Sequence, residues 1–316
     1  MNRRDFFKKG AAAVGATGLT LMLGKTGIWA ADAPVSDGAV PVSGNSPLLA
    51  AVKGGEPDVM LNKAMEALGG MGKFVKKGQT VLIKPNMSWD CPPESGANTH
   101  PALVKCVVEQ CLAAGASKVY VMDHNIDREA CETSGVRASA EEAGGIFAVV
   151  KGVSSMYEDV EISGAKVLKK ARVLKMVREC DVFINVPVLK SHGGTRLTMA
   201  LKNLMGCVED RRFYHSNGVD QCVADFPLFR KPDLNILDAY RVMTKGGPAG
   251  KRRAESIMPK MLFASADIVA IDAVGEAQAI SWGMVKPNQV RHIPMAHAAG
   301  LGESDLEKIK IIKLAV

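Results

Sequence analysis

Two rhythms of apolar and polar positions alternate along this chain. Short, mostly apolar runs recur at Thr80 to Ile83, Lys118 to Met122, Val182 to Val188 and Leu234 to Leu237. Runs of this length without a polar face predict strands covered on both sides. Ile146 to Val150, Met261 to Ala264 and Ile309 to Leu314 read as further strands, and the stretches 159–162 and 166–168 as a hairpin. Between them, apolar residues at helical spacing predict helices over Pro57 to Leu68, Pro101 to Ala114, Arg128 to Ala143, Leu197 to Met205 and Ile268 to Ile280. From Thr80 to Met122 the order is strand, polar loop, helix closed by Gly115, strand. That is a βαβ unit, which needs a parallel pair. The expected fold class is α/β, a mostly parallel sheet flanked by helices, over residues 57–316, as one large domain or two lobes. No internal repeat interrupts it.

The expected strands end in chemistry. Lys84-Pro85-Asn86 closes the first, Asp123-His124 the second, Lys190 and His192 the third, and Asp238 the fourth. Open parallel sheets bind ligands beyond the carboxyl ends of their strands, so these distant residues are expected along one rim. Asp181 to Gly206 is the densest stretch. Lys190, His192, Gly193 and Gly194 precede the predicted helix, and Lys202 and Asn203 lie within its apolar text. Buried polar groups need partners, and glycines before a helix N-terminus suit an anion. Lys84, Lys190 and Lys202 are therefore expected to hold a small anion, with Asn86 and Asn203 orienting it and Thr99, Asp123 and Asp238 beside it. His192 is the leading candidate for proton transfer or metal ligation. His100, His124 and His215 are the histidines available to complete a metal site, although none is spaced as H-x-x-x-H. Asp238 to Arg253, with five basic residues and a Gly-Pro loop, is expected to be a surface loop or a lid. No Walker loop and no G-x-G-x-x-G follows a strand, which argues against the familiar nucleotide sites.

The N-terminus reads as an address. Arg3-Arg4 precedes Phe6-Phe7, an apolar run follows to Leu23, and Ala31-Asp32-Ala33 supplies a small-residue cleavage pattern. These features predict a twin-arginine export signal over 1–33, with the export machinery as partner and the periplasm as destination. The apolar run is shorter than the ~20 residues of a span, so no stable membrane span is expected in the mature chain. Residues 34–56, rich in Gly, Pro and Ser, read as a tether. Residues 1–33 hold five basic and two acidic residues, so without them the net charge falls from +7 to +4. Dispersed cations and 5% aromatics exclude a nucleic-acid footprint. The seven cysteines include no C-x-x-C pair, which argues against an iron–sulfur cluster built from this chain alone.

Taken together, IKPNMSW, NTHP, DVFINVPVLKSH, ALKNLMG, GGPAG and SADIVAIDAVG resemble the "domain of unknown function 362" family over Val81 to Gly283. The resemblance implies an α/β fold. Some family members carry a ferredoxin-like cysteine module, which this sequence lacks. His192, its glycine-rich turn and Lys202 ten residues on are also similar to the lactate racemases with a nickel–pincer cofactor. In those enzymes the lysine holds the cofactor and the histidine handles substrate protons. That resemblance implies the same roles for Lys202 and His192, although Ala200-Leu201 replaces the racemase glycine pair and no second catalytic histidine is assignable. The expectation is an exported cofactor-dependent enzyme or cofactor protein acting on a small carboxylate-like anion by proton or hydride transfer, racemase-like or oxidoreductive. Its rivals are a non-catalytic periplasmic anion-binding protein and an iron–sulfur electron-transfer accessory.

Overall fold

The computed structural model describes residues 27–29, 46–250 and 254–316. The paired arginines, the cleavage pattern at 31–33 and residues 251–253 lie outside them. In chain order the elements that matter are β1 (Leu48–Lys53), α1 (Pro57–Leu68), β2 (Thr80–Pro85), α2 (Pro101–Ala113), β3 (Lys118–Val121) and β4 (Ile146–Phe147). There follow β5 (Tyr157–Glu161), β6 (Lys170–Leu174), β7 (Val182–Val186), β8 (Val188–His192), β9 (Arg196–Thr198) and α3 (Ala200–Asn203). The last are β10 (Leu234–Lys245), β11 (Glu255–Ile257), β12 (Met261–Ser265), α4 (Ile268–Ser281) and β13 (Lys310–Ala315).

The main sheet runs β13-β1-β12-β10-β7-β2-β3-β4, and β5 and β6 form a separate hairpin. From β10 through β7, β2 and β3 to β4 all pairs are parallel. β12 lies antiparallel between β1 and β10. The fold is thus α/β with a mostly parallel sheet, as the strand–helix alternation implies.

Alternation along each strand sorts the apolar residues onto two faces. Val81 and Ile83 of β2 and Ile184 of β7 join one core with α1 and α2. Leu82, Phe183 and Phe263 join the opposite core with α3 and α4. Burying each such side chain contributes roughly 1.5–3 kcal/mol. Lys84 follows Leu82 by one strand period and therefore points to the α3 side.

The helix ends follow local chemistry. Pro57 opens α1, and Gly69 closes it at φ 95°, a left-handed backbone that glycine adopts without strain. His100, not Thr99, caps α2: its Nδ1 accepts from Ala102 N. Asp267 caps α4 through Val269 N and Ala270 N.

Several expectations are corrected here. The tether ends before Leu48, because Leu49 to Val52 are buried and pair with β12 and β13. Apart from these corrections, Gly27–Trp29, inside the stretch 1–33, forms a 3-10 turn whose Ile28 is buried in the core beside α4. The apolar run 182–188 is two strands, since Pro187 has no N–H for a ladder. The predicted 197–205 helix is a strand, the four-residue α3 and a 3-10 turn at Leu204–Cys207. Asp238 to Lys245 continues β10, which pairs with β11, so most of the expected loop is hairpin. Among the described residues no helix is long and apolar enough to cross a membrane.

Candidate functional site

The chain lays β2, β3 and β4 in one direction across the sheet, then returns to place β7 and β10 on the other side of β2. β2 and β7 therefore flank the point where the winding reverses, and such crevices are where open α/β sheets bind ligands. A cavity of about 850 Å³ opens there, lined among others by Lys84, Asn86, Asp123, Lys190, His192, Lys202 and Asn203. The strand-end rule thus gathers seven residues spread over 120 positions.

A directed line of side-chain hydrogen bonds fixes the floor. Lys190 Nζ donates to Asn86 Oδ1 at 3.0 Å, and Asn86 Nδ2 to Asn203 Oδ1 at 3.0 Å. Asn203 Nδ2 donates to Asn185 Oδ1 at 2.9 Å, and Asn185 Nδ2 to Asn235 Oδ1 at 3.0 Å. All five side chains are buried, and the alternation of donor and acceptor fixes each amide's orientation. Thr99 works behind them. Its hydroxyl donates to Val186 O at 2.7 Å and accepts from Asn86 N at 2.8 Å, tying the ends of β2 and β7 together.

Charge is unevenly neutralised. Lys84 pairs with Asp123 at 2.7 Å. Burial raises the Asp123 carboxyl, but the Lys84 charge and the bond from Met87 N outweigh it and hold the group below its usual range. Gly206 lets this pair sit against the 3-10 turn, since a Cβ there would meet Asp123 Oδ1 at 2.2 Å. Lys190 is buried, bonded to Asn86 and Ala97 O, and has no carboxylate partner among the described residues. Burial and then the Lys202 charge push it down to about 7. Lys202 falls to about 8, through burial and then Arg211 and Lys84. Arg211 donates to His124 O at 2.8 Å and also faces the cavity. Glu209 in the same wall is held by Arg172 at 2.8 Å.

His192 is not free to act as expected. Its Nδ1 accepts from Gly194 N at 2.9 Å and Thr195 N at 3.3 Å, so the ring proton resides on Nε2. Burial and the charges of Lys202 and Lys190 push its pKa down to about 3. It is a neutral donor towards the cavity. A nickel–pincer group does not fit this donor set. The only lone pair of His192 is occupied, and among the described residues no three His, Cys, Asp or Glu side chains group as metal ligands.

Three expected residues lie elsewhere. Gly193 and Gly194 form the turn between β8 and β9 and face a shallow pocket beside Arg196, Asp220 and Arg291. They are not at a helix mouth, and the first N–H groups of α3, Ala200 and Leu201, already donate to Asp272 at 2.7 and 3.0 Å. Asp238 is buried away from the cavity, accepting from His100 N and Tyr240 N at 2.7 and 2.9 Å. Burial raises its carboxyl.

Sequence reasoning overlooked Arg211, Thr198 and Asp272. Arg211-Arg212 follows Glu209-Asp210 as a visible charge cluster, and Asp272 stands alone in the apolar text of α4. Thr198 carried no signal. Thr198 is in the cavity wall, and its buried hydroxyl has no hydrogen-bond partner among the described residues.

The chain is 30% identical over 229 residues to a thylakoid-associated protein of Synechocystis sp., covering 68% of this chain and 67% of that one. Its backbone is similar to the lactate racemase apoprotein of Thermoanaerobacterium thermosaccharolyticum, with TM-score 0.41 and 12% identity, over 66% of this chain and 54% of the racemase. A Thermotoga maritima structural-genomics protein matches with TM-score 0.44 and 11% identity, over 77% of this chain and 60% of that one. This chain therefore spans little more than half of either solved structure, and nothing about its chemistry follows from them. The model of the family described as Domain of unknown function (DUF362) matches residues 81–277, and the chain belongs to that family.

Proposed function

We propose that this protein binds a small carboxylate-bearing anion in the cavity between β2 and β7 and acts on it as an enzyme. One observation carries the reading: Lys190, Lys202 and Arg211 converge on one cavity, while of its carboxylates Asp123 and Glu209 are taken by Lys84 and Arg172 and Asp210 accepts from Arg212 N. Lys190, depressed by burial and the Lys202 charge, regains its proton when an anion enters, so binding relieves a cost the empty site carries. Lys190 and Arg211 hold the carboxylate. His192 Nε2–H and the Thr198 hydroxyl offer neutral donors to a second oxygen. Catalysis rather than storage is favoured by the Lys202 amine, whose one hydrogen-bond partner among the described residues is the weakly accepting Met205 thioether. The Arg3-Arg4 and Ala31-Asp32-Ala33 patterns support a periplasmic setting for this chemistry.

Thermal unfolding of the full chain with lactate, pyruvate and malate, against sulfate at equal ionic strength, tests the reading. A rise in Tm with carboxylates that Lys190→Met and Arg211→Met both abolish is expected. Equal effects of all anions on the parent and both variants would defeat it.

A further inference from the structure

Three lysines reach the cavity, and they differ in what holds their amines. Lys84 Nζ is satisfied by Asp123, Asn203 Oδ1 and Pro85 O. Lys190 Nζ donates to Asn86 Oδ1 and Ala97 O. Lys202 Nζ has one hydrogen-bond partner among the described residues, the thioether of Met205 at 3.1 Å. Sulfur in a thioether is a weak acceptor and does little to retain an ammonium. Thr198 belongs to the same cavity wall, and its buried hydroxyl has no hydrogen-bond partner among the described residues. A buried hydroxyl without a partner is costly unless a ligand supplies one.

We propose that Lys202 condenses with the carbonyl group of a small oxo acid, forming an imine, an inference that rests on the anion-site reading above. The carboxylate takes Lys190 and Arg211, the carbonyl oxygen takes Thr198 Oγ and His192 Nε2–H, and the carbonyl carbon meets the one amine not committed to oxygen. The Lys202 lone pair forms the C–N bond while the carbonyl π pair moves onto oxygen, which takes up a proton. Nitrogen gives up both of its protons, the oxygen takes up a second one, the C–O bond breaks with its electron pair leaving as water, and the nitrogen lone pair closes the C=N bond. Amine and carbonyl give imine and water, and nothing is oxidised or reduced. The depressed basicity of Lys202, near 8, keeps a large fraction of the amine unprotonated in mildly alkaline solution.

The test is reductive trapping. The full chain is incubated with pyruvate or glyoxylate, reduced with cyanoborohydride, and read by intact mass and peptide mapping. The expected result is one reduced adduct per chain on the peptide containing Lys202, with a yield that rises as pH passes about 8. Lactate, which has no carbonyl, gives no adduct and lowers the pyruvate yield severalfold when in excess. Lys202→Arg and Lys202→Met both lose the adduct, with circular dichroism confirming that each is folded. An adduct that persists in either folded variant, or that scatters over surface lysines, overturns the assignment. If pyruvate and lactate both raise Tm and no adduct is trapped, the imine is overturned and the anion site stands. If neither raises Tm, the underlying reading falls as well.

Discussion

Lys84 Nζ lies 2.7 Å from Asp123 Oδ1, and each side chain is only 1% exposed. Removing one partner leaves an uncompensated buried charge, which costs about 3–5 kcal/mol. Lys84→Met and Asp123→Leu should each destabilise by that order in urea unfolding, while the double variant should recover much of the loss. The sign with pH is set by Asp123. Its folded pKa is depressed, so its contribution is present above the ordinary carboxylate value of about 4 and is lost as pH falls through the lower folded value. Acid unfolding of the double variant should therefore begin at lower pH than that of the parent.

Much of this arrangement was legible because the strands announce themselves. Apolar runs ending in Lys84, Asp123 and Lys190 can only bring those residues to one rim if the strands are parallel, and they are. The stretch after His192 was misread because its apolar residues fit a helix and a strand equally well. Tertiary pairing of β9 with β8 then decided Leu197 and Thr198, and Asp272, about seventy residues on, capped what helix remained. Partners that distant leave no local mark. The switch from His192 as base to His192 as donor was equally invisible, since it depends on two backbone N–H groups of a turn.

Lys190 gives a pH dependence of opposite origin to Asp123. Its ordinary pKa is about 10.4, and burial in the fold holds it at about 7. Between those values the unfolded chain binds the additional proton, so this residue makes stability rise with pH from about 7 to about 10. Lys190→Met should flatten that part of the profile by on the order of 1–3 kcal/mol between pH 6 and pH 9. Carboxylate-induced stabilisation of the parent should run the other way and be larger at pH 6 than at pH 9. A profile unchanged by the substitution would show that the lysine is not buried as described.

The His192 ring should show no titration between pH 5 and pH 8, because burial, then the neighbouring cations, and the two N–H groups bonded to Nδ1 oppose protonation. Nitrogen-15 shifts of the labelled imidazole should report the Nε2–H tautomer throughout. Rapid loss of that pattern near pH 6.5 would return His192 to an ordinary surface histidine.

Thr198→Val removes a buried hydroxyl that has no partner. Replacing an unsatisfied polar group by an apolar one of the same shape is close to neutral or mildly stabilising. The empty protein should therefore unfold within about 1 kcal/mol of the parent, while the Tm shift with pyruvate shrinks. A clear loss of stability without ligand would mean that the hydroxyl is satisfied by the protein itself.

Asp272 and Glu276 stand one turn apart on α4, beneath the short helix that carries Lys202 and Asn203. Burial pushes both carboxyls up to about 7, against bonds from Ala200 and Leu201 N–H to Asp272, and the Glu276 charge pushes Asp272 further. Glu276 Oε1 has no hydrogen-bond partner among the described residues. Carboxyls whose folded pKa is raised stabilise the fold fully below their unfolded value of about 4 and lose that contribution as pH rises through about 7. Glu276→Gln removes one buried charge without changing shape. It should match the parent near pH 4 and exceed it by on the order of 1–3 kcal/mol above pH 7. Asp272→Ala has the opposite consequence, because it strips the cap from α3 and frees two buried N–H groups, costing about 1–3 kcal/mol. As α3 loosens, Lys202 loses its place in the cavity wall, so the same variant should also weaken carboxylate stabilisation. A variant that unfolds earlier yet binds carboxylates with undiminished strength would show that the cap serves the fold alone.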